Sequence, residues 1–247
     1  MAIALIRLPS VPHDDMRSEM KIRLEAVSNI EQEAAAARVR LEVFGTEWAI
    51  ELARIAPDDL SRANQVIARV LPDDEVVATV IILDTTGNRS LHGKYELPFG
   101  RFDRVARYMQ MAVLKPYRGL NLPLYMLLEA RRLYVVPKGF SYTWFLFRAE
   151  RAMSSTFCTT LGYSASTRVV CGEQGLCRVL LRDETSREAH VADMQTRCFL
   201  DSIRPKSLRV IPISETATAA DSVPESPAGP PWRSYFGLVR EDEWVAH

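Results

Sequence analysis

Apolar residues alternate with polar ones at Ile22, Leu24 and Ala26, which predicts a strand over Lys21–Val27. Ser28 or Asn29 can then cap a helix from Ile30 to about Phe44, with Gly45 as its stop. Gln65–Leu71 and Glu75–Leu83 are rich in Val and Ile and are separated by Pro72-Asp73-Asp74, so they read as an antiparallel hairpin. Asp84–Gly100 is an irregular connection carrying Gly87-Asn88, Gly93 and Pro98, and Arg104–Leu114 follows as a strand. Leu124, Leu127, Leu128, Ala130 and Leu133 recur at helical spacing within Leu122–Val135, before Pro137 and Gly139. An aromatic strand over Tyr142–Phe147, a helix over Glu150–Leu161 ended by Gly162, and a hairpin over Arg168–Cys171 and Cys177–Leu181 complete the regular part. Arg187–Leu200 has a weaker helical pattern. No segment repeats.

This order places a strand–turn–helix–strand unit at the centre, which requires a parallel strand pair there. The expected fold is α/β (α+β): a mixed sheet with helices on both faces and a central parallel pair. Residues 1–20 form an irregular N-terminal segment, 21–200 the main domain, and 201–247 a C-terminal extension. Within the extension, Ser214–Pro231 is rich in Ser, Thr, Ala and Pro and reads as a linker. Trp232–Leu238 is too aromatic for a linker and is expected to dock on the core or on a partner.

Composition narrows the function classes. Lys+Arg at 31 balances Asp+Glu at 31, so no basic excess exists to drive nucleic-acid binding by counterion release. No apolar run approaches the roughly 20 residues needed to span a bilayer. The short apolar start lacks a basic region and a cleavage site, so no signal peptide is expected. Cys158, Cys171, Cys177 and Cys198 match no zinc spacing and read as free thiols, which points to the cytoplasm and to no metal.

The candidate chemistry lies in the central turn. A strand that ends in a glycine-containing turn and feeds a helix presents free N–H groups and the positive end of the helix dipole to an anion. Arg118 adds a cation and Gly119 lets the backbone approach closely. From the residues alone this segment is either such an anion site or an ordinary tight strand-to-helix turn, and Leu114, Tyr117, Arg118, Gly119, Leu120, Asn121 and Leu122 are the candidate cofactor-binding residues.

The run Ala112-Val113-Leu114-Lys115-Pro116-Tyr117-Arg118-Gly119-Leu120-Asn121-Leu122-Pro123-Leu124 resembles the donor-binding motif of the GNAT (GCN5-related N-acetyltransferase) superfamily. Leu161-Gly162-Tyr163, after the Phe140–Phe147 strand, is similar to that family's closing Leu-Gly-Phe step. The sequence departs from the motif at Asn121 and Pro123, where the family has small residues. Asn tolerates a left-handed backbone, but Pro123 has no N–H to donate. Cys158 stands where the family has a tyrosine general acid.

Phe102–Val113 is similar to one branch of the superfamily, the acyl-homoserine-lactone synthases and long-chain N-acyl amino acid synthases, with Arg107 matching the branch's strand arginine. No acidic residue stands directly beside it, and read without the resemblance Arg107 is a strand residue facing solvent. The branch implies transfer of an acyl group from acyl-CoA or acyl carrier protein to the amine of an amino acid or related small molecule. Acyl carrier protein is then a candidate partner, and the oligomeric state is open. Family chemistry implies direct amine attack, a backbone N–H near Met111–Leu114 as oxyanion donor, and a base for the ammonium proton. Glu96 ranks first for that base, ahead of Asp103, Glu129 and His92. Met109, Met111, Trp144 and Phe147 read as core residues or as the lining of an acyl channel. An acetyl-CoA-dependent small-molecule acetyltransferase and a catalytically inactive acyl-thioester-binding module are the alternatives.

Overall fold

A computed structural model describes residues 19–47, 63–149, 158, 160–172 and 175–213. Eight strands form one sheet: β1 (Met20–Ala26), β2 (Ala63–Leu71), β3 (Glu75–Asp84), β4 (Val105–Val113), β5 (Tyr142–Arg148), β6 (Ser164–Gly172), β7 (Gly175–Asp183) and β8 (Leu208–Ile211). Their spatial order is β6-β7-β5-β4-β3-β2-β1-β8. Every pairing is antiparallel except β4 with β5 and β1 with β8. The mixed sheet with a central parallel pair is the expected architecture.

Four helices accompany the strands among the described residues: α1 (Ile30–Arg40), α2 (Arg89–Lys94), α3 (Leu122–Ala130) and α4 (Arg187–Ile203). Asn29 caps α1, its side chain accepting from the Gln32 N–H at 2.9 Å. The helix does not stop at Gly45 but runs on through a wider π-type turn to Glu47. In α3 the regular turns end at Ala130, five residues before the expected end, and a similar wide turn carries the chain to Val135. The connection expected to be irregular holds the short α2, capped by the Asn88 side chain on the Leu91 N–H. Most of the helix expected at Glu150–Leu161 lies outside the described residues, as does everything beyond residue 213. β8 falls within the segment assigned to the C-terminal extension and forms the edge of the sheet beside β1.

Strand alternation separates two faces. Thr79, Ile81, Arg107 and Trp144 share one face, and Tyr108 and Thr143 the other. On the first face, α1 covers a polar layer: Gln65 meets Thr79 Oγ1 at 2.6 Å and lies against Glu33 and Arg40, themselves ion-paired at 2.5 Å. On the second, α4 is tied down by charge. Buried Arg131 holds Glu184 and Asp193 at 2.5 Å each, and buried Arg182 holds Asp193 at 2.7 Å. Glu184 also accepts from Thr143 Oγ1, which meets the Tyr163 hydroxyl at 3.0 Å. Burial, with Glu184 nearby, raises the Tyr163 pKa, so that hydroxyl stays protonated. The largest core cluster runs between the sheet and α3, with Leu122, Met126 and Leu180 fully enclosed.

Candidate active site

The parallel pair at the centre is incomplete. β4 and β5 bond only where Val105–Arg107 lies beside Tyr142–Trp144. Beyond that root each strand stays paired on its outer side, β4 with β3 as far as Val113 and β5 with β7 as far as Arg148. A gap therefore opens between two strands that are each held in place. A bulge in β4 accompanies it: Thr79 faces Ala112 and Ile81 faces Met109, so Gln110 and Met111 together oppose Val80 alone. Gln110 sits at φ +48°, the left-handed conformation that takes up the extra residue.

β4 leaves the gap into the turn before α3. The Leu114 N–H bonds to Val77 O at 2.9 Å, keeping the strand end on β3, and the Leu114 carbonyl accepts from Tyr117 at 3.0 Å. Gly119 and Asn121 both have positive φ, +91° and +57°. A Cβ at Gly119 would meet nothing within 4 Å, so this backbone is open to approach. The N–H groups of Gly119, Leu120, Asn121 and Leu122 make no backbone hydrogen bond among the described residues. They stand at the positive end of the α3 dipole, with Pro123 in its first turn contributing no donor. The Leu114 and Leu122 side chains are buried and Leu120 packs on the core, so these residues offer backbone to the turn's surface.

Arg118 lies across the end of β4, its Nε donating to Val113 O at 3.0 Å and its Nη2 to Glu47 Oε2 at 2.7 Å. The pair with Glu47 is partly solvated, a class worth about 0–1 kcal/mol, so the guanidinium can exchange one anionic partner for another at little cost. Tyr117 turns the other way, its hydroxyl donating to Glu75 at 3.2 Å. Burial and the Glu75 carboxylate raise its pKa and keep it protonated.

The remaining candidates are spread around the gap. Arg107 stands at its closed root and does not face solvent: it is buried, its guanidinium 5.0 Å from the Trp144 ring and 5.8 Å from that of Tyr95. Both rings lie within cation–π range of the buried guanidinium. Glu96 is exposed at φ +51°, and its carboxylate is engaged by Arg168 of β6, two strands beyond β5. Asp103 accepts from the Gly100 N–H at 2.6 Å, and buried Glu129 is paired with Arg132 at 2.9 Å. Cys158 is a half-buried free thiol packed against the main core, and burial raises its pKa, so it is a thiol rather than a thiolate at neutral pH. His92 lies against Phe99 and near the Thr85 hydroxyl at 3.5 Å, and burial lowers its pKa. Trp144 is enclosed, whereas Met109, Met111 and Phe147 are half-buried. The structure thus brings the turn residues together at the open end and Arg107 at the closed end. It does not bring Glu96 to the gap. The bulge at Gln110 was missed by sequence reasoning, because glutamine carries no signal for a positive φ.

No family model matches the sequence and no curated protein is similar to it in sequence. Solved structures are similar in fold. An N-acyl amino acid synthase from uncultured soil microbes, FeeM, superposes with TM-score 0.54 at 11% identity, over 66% of this chain and 90% of that one. A CoA-dependent acyl-homoserine lactone synthase, BjaI, gives 0.51 at 12% identity, over 77% and 93%. The chain has the GNAT fold. A putative N-acetyltransferase from Lactobacillus plantarum gives 0.50 at 16% identity, over 66% and 98%, so the shared GNAT architecture extends beyond the two synthases. Among the described residues no helix is long and apolar enough to cross a membrane, and no group of three or more His, Cys, Asp or Glu could hold a metal ion.

Proposed function

We propose that this protein is an N-acyltransferase that moves an acyl group from a thioester, on coenzyme A or acyl carrier protein, to the amine of an amino acid or related small molecule. The observation that carries this reading is the gap between β4 and β5, which leads from a bulge directly to an open helix N-terminus flanked by Arg118. The turn residues Gly119–Leu122 and Arg118 hold the donor's phosphate, and the thioester arm lies along the gap. The amine attacks the thioester carbonyl, forming a C–N bond, and a β4 backbone N–H near Met111–Leu114 stabilises the oxyanion. Collapse breaks the C–S bond, and Cys158, protonated at neutral pH, is the proton donor to the departing thiolate.

Glu96 remains our choice for the base; because its carboxylate does not reach the gap, it takes the ammonium proton through intervening water. It is exposed to bulk water, and its pair with Arg168 is weak enough to open. Arg107 places a fixed positive charge at the closed end, which favours an acceptor bearing a carboxylate. FeeM, an N-acyl amino acid synthase, supports this acceptor class. The cysteines described as free thiols suit a reducing cytoplasm.

The test is to incubate the protein with acyl-CoA and acyl carrier protein donors and an amino-acid mixture, following free thiol release and acylated products by mass spectrometry. Acyl-amide product with stoichiometric thiol is expected. No product with any donor would sink the enzyme reading, and donor binding without turnover would mark a binding module instead.

A further inference from the structure

We propose that the Tyr95 hydroxyl selects the acceptor, donating a hydrogen bond to the carboxylate of a free amino acid beside the Arg107 guanidinium. This deepens the acyltransferase reading, on which it rests, by naming a residue that the reading leaves unused. Arg107 and Trp144 form the last rung at which β4 and β5 are paired, so their side chains stand where the gap begins. Tyr95, directly after α2, reaches that rung from the connection between β3 and β4. Its ring centre lies 5.5 Å from that of Trp144, and the Arg107 guanidinium carbon is 5.0 Å from the Trp144 ring centre and 5.8 Å from that of Tyr95.

The Tyr95 ring is explained by packing, since it forms an enclosed apolar cluster with Val105, Trp144 and Val179. Its hydroxyl is not. The residue is 2% exposed, and the oxygen makes no hydrogen bond among the described residues. Phenylalanine would fill the same space without burying a donor that nothing accepts, and such a donor lowers stability. A function at this position therefore belongs to the hydroxyl. The neighbouring buried hydroxyl, Thr85, is already engaged, donating to Val105 O at 3.3 Å and accepting from Trp144 Nε1 at 3.4 Å. Charge sets what Tyr95 can bind. The Arg107 guanidinium and the Lys94 ammonium, 5.1 Å from the ring centre, both lie beside the ring, while the carboxylate of Glu96 is engaged by Arg168. A neutral donor next to a cation, walled by aromatic rings, suits a carboxylate, whose two oxygens accept from both.

The test uses the full-length protein, with and without coenzyme A. Saturation-transfer NMR screens a mixture of the proteinogenic amino acids and, separately, their C-terminal amides, and calorimetry then measures the amino acid that binds. Tyr95→Phe is expected to weaken that amino acid roughly ten- to hundredfold, as for a hydrogen bond to a charged group, with the melting temperature at or above that of the parent. The matching amide should bind the parent more weakly and be indifferent to the substitution. In turnover with an acyl donor, the loss should fall on KM rather than kcat. A tyrosine with only a structural role would instead lower the melting temperature and treat acid and amide alike. Equal affinity of parent and Tyr95→Phe, equal losses for acid and amide, or no binding of any amino acid to the parent would each overturn the proposal. Tyr95-dependent binding in a protein that releases no thiol from any donor would keep the carboxylate site and remove the acyltransferase reading.

Discussion

Asn121 holds φ +57° at the start of α3, a conformation that costs a β-branched residue about 1–2 kcal/mol and asparagine much less. Asn121→Val should therefore lower unfolding stability by about that amount in a urea titration, while Asn121→Gly stays near the parent. The change at Arg118 is of another kind. Its pair with Glu47 adds little stability, but a charged hydrogen bond to phosphate is worth about 1.5–3 kcal/mol, so Arg118→Ala should weaken donor binding roughly ten- to hundredfold with the melting temperature nearly unchanged. Unaltered affinity by calorimetry would remove the turn from the donor site. For His92 the folded pKa is lowered, mainly by burial, from the ordinary value of 6.5. The unfolded chain then binds the proton more readily, so stability is full above pH 6.5 and declines as pH falls through the folded value. NMR titration should place the His92 midpoint below 6.5, and His92→Gln should flatten the acid side of the stability profile. At this scale the sequence was readable where a residue type is itself the constraint. Gly119 and Asn121 announced a left-handed turn, whereas Gln110 and Glu96 adopt positive φ because pairing and connection geometry impose it, and their side chains give no sign.

Elements were readable where periodicity is local. The β2–β3 hairpin, the α3 start and the aromatic β5 follow from alternation, helical spacing and turn residues, and each lies within two residues of its expected start. β8 has four residues and is a strand only because β1 offers an edge. The wide turns at the ends of α1 and α3 likewise depend on what the chain meets: Glu47 ends one beside Arg118, and Arg131 begins the other within the Glu184–Asp193 network. That network fastens α4 to β5 and β7. Glu184→Leu would leave buried Arg131 and Arg182 short of their counter-charge, and loss of about 3–5 kcal/mol is expected in chemical denaturation. A loss below about 1 kcal/mol, as for a surface pair, would mean that the cluster is solvated in solution. Arg107 shows the same limit of local reading, because its cover of Trp144 and Tyr95 comes from β5 and the 84–104 connection rather than from its own strand.

Taken whole, the sheet is two plates, β6-β7-β5 and β4-β3-β2-β1-β8, joined at the short root where Val105–Arg107 meets Tyr142–Trp144. Beyond that root β4 and β5 no longer pair with each other among the described residues, and strand margins that face no neighbouring strand are templates for one from another chain. The bulge at Gln110 gives a partial defence, since a kinked margin cannot match a straight intruder over its full length. Any small molecule that lodges between the plates therefore does a second service: it occupies a margin that a neighbouring protein could otherwise recruit, and solutions of this protein should keep clear of self-association longest when that space is filled.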